Sequence, residues 1–177
     1  IVDLPGGLQP IPNEEQTLWV IANGEIFNHP ELREELIRKG HSFRMHSDTE
    51  VIVHAYEEEG PACLDRFNGQ FAIAIWDAPR RRLFLARDRV GIRPLHYAMA
   101  DGVLLFASEI KALFATGRLS RRLDPAALDQ VFTFWTTLSG RTAFEGVREL
   151  PPGHYLVAEG GSVEVRRWWA LPVERGD

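Results

Sequence analysis

The stretch Ala22-Asn23-Gly24-Glu25-Ile26-Phe27-Asn28 places a carboxamide, a glycine and a carboxylate directly after the apolar run Leu18-Trp19-Val20-Ile21-Ala22. The apolar run reads as a buried strand, so the polar cluster sits at its mouth. Glycine there lets the backbone come close to a ligand. An Asn side-chain amide beside a backbone N–H offers two donors that can converge on one oxyanion, as acyl-transfer chemistry requires. Glu25 can hold an ammonium group nearby. The competing reading is an Asn-Gly turn in a β-hairpin. These residues alone do not separate the two.

The elements around the cluster follow from local punctuation. Residues 1–17 are rich in Gly, Pro and Asn and read as loop. The run from Pro30 to Gly40 has proline first, acids early, bases late and glycine last, with Leu32, Leu36 and Ile37 as its apolar stripe. This pattern predicts a helix. Ser47-Asp48-Thr49-Glu50 precedes a second helix, Val51 to Glu59, which either Ser47 or Asp48 can cap. Two strands, Gln70 to Asp77 and Arg82 to Arg87, flank a tight turn, and Phe71 to Trp76 is apolar throughout, as expected of a strand buried on both faces. Further hairpins are expected at Leu95–Met99 with Val103–Ala107 and at Tyr155–Ala158 with Val163–Trp168. Short helices are expected at Glu109–Ala115 and after Asp124-Pro125. Hairpins interleaved with helix pairs imply an α+β domain, with antiparallel sheets covered by helices.

With 177 residues the chain is long enough to bury roughly 70% of its unfolded surface. Its net charge of −5 and lack of a polybasic block give no support to nucleic-acid or membrane-surface binding. No apolar run approaches the roughly 20 residues of a membrane span. The single cysteine, Cys63, excludes an internal disulfide framework and fits a reducing compartment, so a cytoplasmic location is expected. Six histidines, among them His29, His41, His46 and His54, show no ligand spacing and read as surface residues, so no metal site is expected.

Several further segments recur in one order: Ile1-Val2-Asp3-Leu4 with Gln9-Pro10, the Asn23 cluster, Ser47-Asp48-Thr49-Glu50-Val51-Ile52 and Gly69-Gln70-Phe71-Ala72. The stretch from Ala86 to Leu95, then Phe106 to Leu113 and Leu150-Pro151-Pro152-Gly153-His154, complete the series. With these the chain resembles the class II glutamine amidotransferase domain, most closely that of glutamine-hydrolysing asparagine synthetases. The resemblance implies a four-layer αββα sandwich, the N-terminal-nucleophile hydrolase fold, here without its first strands. Residues 1–170 would form the amidotransferase domain and 171–177 a linker toward a synthetase domain.

The resemblance also implies a reaction: an N-terminal cysteine attacks the side-chain amide of glutamine, its own α-amino group serving as base, and ammonia is released. It places the oxyanion donors at Asn23 and the Gly24 N–H, the ammonium grip at Glu25 and Asp48, and backbone contacts to glutamine at Ile1 and Val2. From its local sequence alone Asp48 reads as a helix cap. No cofactor is implied for this domain; ATP and magnesium belong to the synthetase domain, the expected C-terminal partner, where ammonia amidates aspartate. A homodimer is compatible with the resemblance.

The family begins with Cys-Gly-Ile upstream of the position of Ile1, and Cys63, at the start of a short helix with no free amine, cannot replace that nucleophile. The chain as it stands is therefore expected not to release ammonia. The alternative to the enzyme is a non-catalytic amidotransferase-like scaffold docking to a synthetase partner, and retention of Asn23, Gly24, Glu25 and Asp48 favours the enzyme. The amidotransferase half of a purine or hexosamine enzyme is a more distant reading. Arg87-Asp88 with Gly91 and Pro94 reads as a buried ion pair or turn clamp. Phe132-Thr133-Phe134-Trp135 and Trp168-Trp169 read as core or as a domain-interface patch.

Overall fold

A computed structural model describes residues 7–138 and 140–172. In chain order the elements are β1 (Ile11–Pro12), β2 (Leu18–Ile26), α1 (His29–Arg38), α2 (Glu50–Glu59), a 3-10 helix (Gly60–Arg66), β3 (Gly69–Asp77) and β4 (Arg82–Arg87). Then come β5 (His96–Ala100), β6 (Val103–Ala107), α3 (Ile110–Ala115), α4 (Pro125–Phe134), β7 (Val147–Glu149), β8 (His154–Glu159) and β9 (Ser162–Arg167). One sheet has the order β1-β2-β3-β4-β8-β9 and the other β6-β5-β7, with antiparallel pairing throughout.

The two-residue period of a strand sorts these side chains into layers. From β3, Phe71, Ile73 and Ile75 pack with Leu32 and Leu36 of α1 and Val51, Ile52 and Ala55 of α2. The alternate residues Ala72 and Ala74 pack in the other direction, in a cluster with Leu85, Leu95, Leu150 and Leu156 that reaches Leu104 and Phe106 of the small sheet. On the far face of that sheet, Ala98 and Val147 meet Leu113 and Phe114 of α3. The order of layers is helix, sheet, sheet, helix.

Each fully buried Ile or Phe contributes about 1.5–3 kcal/mol relative to exposure. Phe67, Phe71, Phe84, Ile73 and Ile75 are all under 2% exposed, so the α1/α2 face of the large sheet supplies most of the apolar stabilisation. On the inter-sheet face β3 contributes only Ala72 and Ala74 to the buried cluster.

Three sequence expectations change. The strand that was expected to stop at Ala22 runs on to Ile26, paired residue by residue with β3 from Leu18↔Asp77 to Ile26↔Gly69. Asn23-Gly24 therefore lies inside a strand and is neither a hairpin turn nor a strand mouth. Residues read as loop contain β1, which pairs Ile11 with Val20. The cap of α2 is Thr49, with no side-chain cap bond; the Ser47 hydroxyl accepts from the Thr49 N–H at 3.2 Å, and the Asp48 carboxylate turns elsewhere. Asp124, in contrast, caps α4 as its sequence predicts, accepting from the Ala126 and Ala127 N–H groups at 3.0 and 3.3 Å.

Candidate active site

Strand alternation puts Ile21, Asn23 and Glu25 on the inter-sheet face of β2, opposite Val20 and Ile26 on the helical face. Asn23 faces Ala72 across the ladder, and short side chains at Ala72 and Ala74 leave room above the sheet. The result is a cavity of about 260 Å³ lined by Ile21, Asn23, Ala72, Leu95, Phe106 and Ser108, among others. Its floor is apolar, with the Asn23 carboxamide and the Ser108 hydroxyl at one end.

Asn23 Nδ2 donates to Ser108 Oγ at 3.3 Å, linking β2 to the residue just after β6. The Ser108 carbonyl lies 3.2 Å from His96 Nδ1. Burial pushes the His96 imidazole below its ordinary range, so it is neutral at pH 7 and its ring N–H can donate to that carbonyl. Gln9 holds the other edge of β2: its Oε1 accepts from the Ala22 N–H at 2.6 Å, and its Nε2 donates to the Ala22 carbonyl at 3.0 Å.

Gly24 is demanded by space as well as by backbone. Its φ is +145°, and a Cβ there would lie 1.9 Å from the Gln70 carbonyl oxygen of β3. Its N–H orientation follows from its neighbours. The Ala22 N–H goes to Gln9 and the Ile26 N–H to Asp48 Oδ2 (2.9 Å), both on the edge of β2 away from β3. Phe71, the partner of Gly24, directs its own N–H and carbonyl to Asp88 instead. Alternation along an antiparallel strand turns the Gly24 N–H to the same outer edge as those of Ala22 and Ile26.

Asp48 is 7% exposed and joined to β2 through Ile26. Glu25 is half-buried on the same face as Asn23, beyond the cavity lining. The structure thus gathers Asn23, Gly24, Glu25 and Asp48 at one end of β2, with Asn23 alone of the four lining the cavity. Ile1 and Val2 lie outside the described residues. The sequence reading assigned no role in the site to Ser108, His96 or Gln9. The signal for Ser108 was a polar residue closing the apolar strand Val103–Ala107.

Other polar residues are structural. Arg87 and Asp88 do not pair with each other. Arg87 donates to the carbonyls of Arg93, Leu150 and Gly91 and lies 2.7 Å from Glu149 Oε1. The Asp88 carboxylate accepts the backbone N–H groups of Phe71, Val90, Gly91, Ile92 and Arg93. This is the turn clamp, not the ion pair. Cys63 is fully buried, and burial pushes its thiol well up, so it cannot act as the nucleophile. Trp168 packs on the main core, whereas Phe132, Phe134 and Trp135 are 84%, 57% and 92% exposed.

The histidines divide. His46 is exposed, but His54 is 1% exposed, and its ring lies 4.7 Å from that of His41. The expectation of surface histidines fails here because α2 and the segment before it bring together rings far apart in sequence.

Solved structures share this architecture. The glutamine phosphoribosylpyrophosphate amidotransferase of Bacillus subtilis, complexed with ADP and GMP, superposes with a TM-score of 0.67 at 23% identity, over 92% of this chain and 32% of that one. A structure described as the allosteric regulatory enzyme of purine biosynthesis gives 0.68 at 23% identity, over 93% and 32%. The chain shares with these structures a layered α+β architecture of two antiparallel sheets between helices.

The family model for the glutamine amidotransferase domain matches residues 1–169. An asparagine synthetase (glutamine-hydrolysing) of Bacillus subtilis is 38% identical over 99% of this chain and 29% of its own length. One of Arabidopsis thaliana is 48% identical over 97% and 25%. The chain belongs to the glutamine amidotransferase domain family, and it spans under a third of the length of these curated relatives.

Proposed function

We propose that the chain is the glutaminase domain of an asparagine synthase, binding glutamine at the Asn23 end of β2 and releasing ammonia from its side-chain amide. The observation that carries this is a pair of adjacent donors, the Asn23 carboxamide at the cavity and the Gly24 N–H turned away from the ladder. A tetrahedral adduct at an amide carbon carries one negative oxygen, and each preorganised donor to it is worth about 3 kcal/mol of barrier. The attacking thiolate, by the resemblance, is that of an N-terminal cysteine. Its bond to the amide carbon converts the carbonyl to the oxyanion, collapse expels ammonia on protonation, and water cleaves the resulting thioester to glutamate.

Substrate grip follows from charge. The α-ammonium of glutamine needs an anionic wall, which Glu25 and Asp48 provide. Asp48 is suited to this because its link to the Ile26 N–H fixes the carboxylate beside the donor strand. Ile1 and Val2 would supply backbone contacts to the rest of the substrate.

The ammonia would pass to a synthetase domain of the same protein, where ATP and magnesium drive amidation of aspartate; no residue of this cleft is assigned to either cofactor. The exposed Phe132, Phe134 and Trp135 provide an apolar face for such a domain. No helix among the described residues is long and apolar enough to cross a membrane, and we read the protein as cytoplasmic. The test is ammonia release from glutamine by the full-length protein. Glutamine-dependent ammonia supports the reading, and its absence in a folded, ATP-competent protein replaces it with the scaffold.

A further inference from the structure

On the opposite side of the large sheet from the cleft, Glu14, His41, His54 and Glu57 bring one ligand atom each to within 4.8 Å of one another. We propose that these four side chains form a structural site for a divalent transition ion of the zinc class. The distances suit it. His41 Nδ1 and His54 Nδ1 each lie 3.2 Å from a Glu14 carboxylate oxygen and 4.0 Å from Glu57 Oε2. Tetrahedral ligands at about 2.0–2.1 Å from zinc stand roughly 3.4 Å apart, so small rotations close the set around one ion.

The independent sign of a ligand is His54. Its side chain is 99% buried by exposure, yet neither ring nitrogen makes a hydrogen bond, although Glu14 is within 3.2 Å. A buried imidazole with both nitrogens unsatisfied is costly, and metal coordination at Nδ1 removes half of that cost. Metal ligation takes imidazoles as neutral donors and carboxylates as anions, so the bound set would carry a net charge of minus two, which a divalent cation cancels. Nitrogen donors favour zinc-class ions over magnesium or calcium.

The surrounding groups orient the ligands as a metal's outer shell does. The Ser42 N–H donates to Glu14 Oε1 at 2.8 Å, and Asn13 Nδ2 donates to Glu57 Oε1 at 3.0 Å, leaving Oε2 toward the rings. Behind His41, Nε2 lies 3.3 Å from Glu58 Oε1, whereas His54 Nε2, 4.0 Å from Glu50 Oε1, makes no hydrogen bond. Glu14 and Glu57 remain about 30% exposed, which gives the ion a path in. An ion here would join the β1–β2 connection, the segment after α1 and helix α2, and so brace the helical layer whose leading turn carries Asp48.

The test is zinc binding to the full-length protein after chelator treatment, measured by competition with a chromogenic chelator, with cobalt absorption reporting the coordination geometry. We expect one equivalent of zinc bound at this cluster, a tetrahedral cobalt spectrum and a zinc-dependent rise in Tm. Glu57→Gln, a partly exposed change that preserves the fold, should weaken binding at least tenfold. His54→Gln should abolish it, and His41→Asn serves in its place if that variant does not fold. An absence of zinc binding, or binding unchanged in Glu57→Gln and His41→Asn, overturns the site.

Discussion

The Asp88 node, just after β4, and the Asn23–Gly24 stretch, inside β2, are both polar clusters on the large sheet, and they differ in how many of their bonds are closed internally. Asp88 receives five backbone N–H groups, and its neighbour Arg87 donates to three carbonyls. At Asn23, the carboxamide makes one long bond to a hydroxyl, and the adjacent Gly24 N–H faces away from the ladder. A saturated cluster holds the fold, because buried donors left unpaired are expensive. A cluster with donors in reserve at a cavity is placed to receive a ligand.

The largest effect is expected at Asp88. Asp88→Ala removes the carboxylate that five backbone N–H groups share; Gly91 keeps its 3.3 Å bond to the Asp88 carbonyl, and the other four are stranded, at about 1–3 kcal/mol each for those that stay buried. We expect a loss of more than ~4 kcal/mol, read as a collapse of the urea midpoint or as insoluble protein; a midpoint near wild type would show that the clamp is dispensable. Gly24→Ala comes next, since its Cβ must displace the Gln70 carbonyl at 1.9 Å. A loss of about 2–4 kcal/mol by urea denaturation is expected, at the scale of overpacking plus backbone strain.

Asp48→Asn should act on substrate binding and not on the fold. It keeps an acceptor for the Ile26 N–H but removes the charge, so stability should hold while KM for glutamine rises about 10–100-fold, the scale of one charged hydrogen bond. An unchanged KM would return Asp48 to a purely structural role. The smallest effect is at His96. Burial lowers its folded pKa, so the unfolded chain takes up the proton first as pH falls. Stability present above the ordinary histidine pKa of about 6.5 is therefore lost as pH drops below it. His96→Gln should reduce that slope in urea midpoints measured between pH 7 and 5 without abolishing it, because His54, pushed down to about 4 by burial, contributes in the same window.

Much of this was legible in the sequence, and for identifiable reasons. The apolar run Phe71–Trp76 announced the central strand, and Asp124-Pro125 announced the start of α4, because both signals are local. The length of β2 was hidden because Asn-Gly favours turns; pairing with β3 outweighs that preference. Asp48 looks like a cap from its neighbours and becomes a strand partner only when α2 is docked beside Ile26. Ser108 and the Glu14–His41–His54–Glu57 cluster depend on residues far apart in the chain, which no spacing rule detects.

On the proposed function the Asn23 carboxamide acts on the transition state and not on the fold. The most direct measurement is the glutaminase kcat and KM of full-length Asn23→Ala, alongside its urea midpoint. Loss of one oxyanion donor predicts a kcat lowered about 10²–10³-fold with KM and midpoint close to wild type. A kcat equal to wild type, in a variant as stable as wild type, would contradict it.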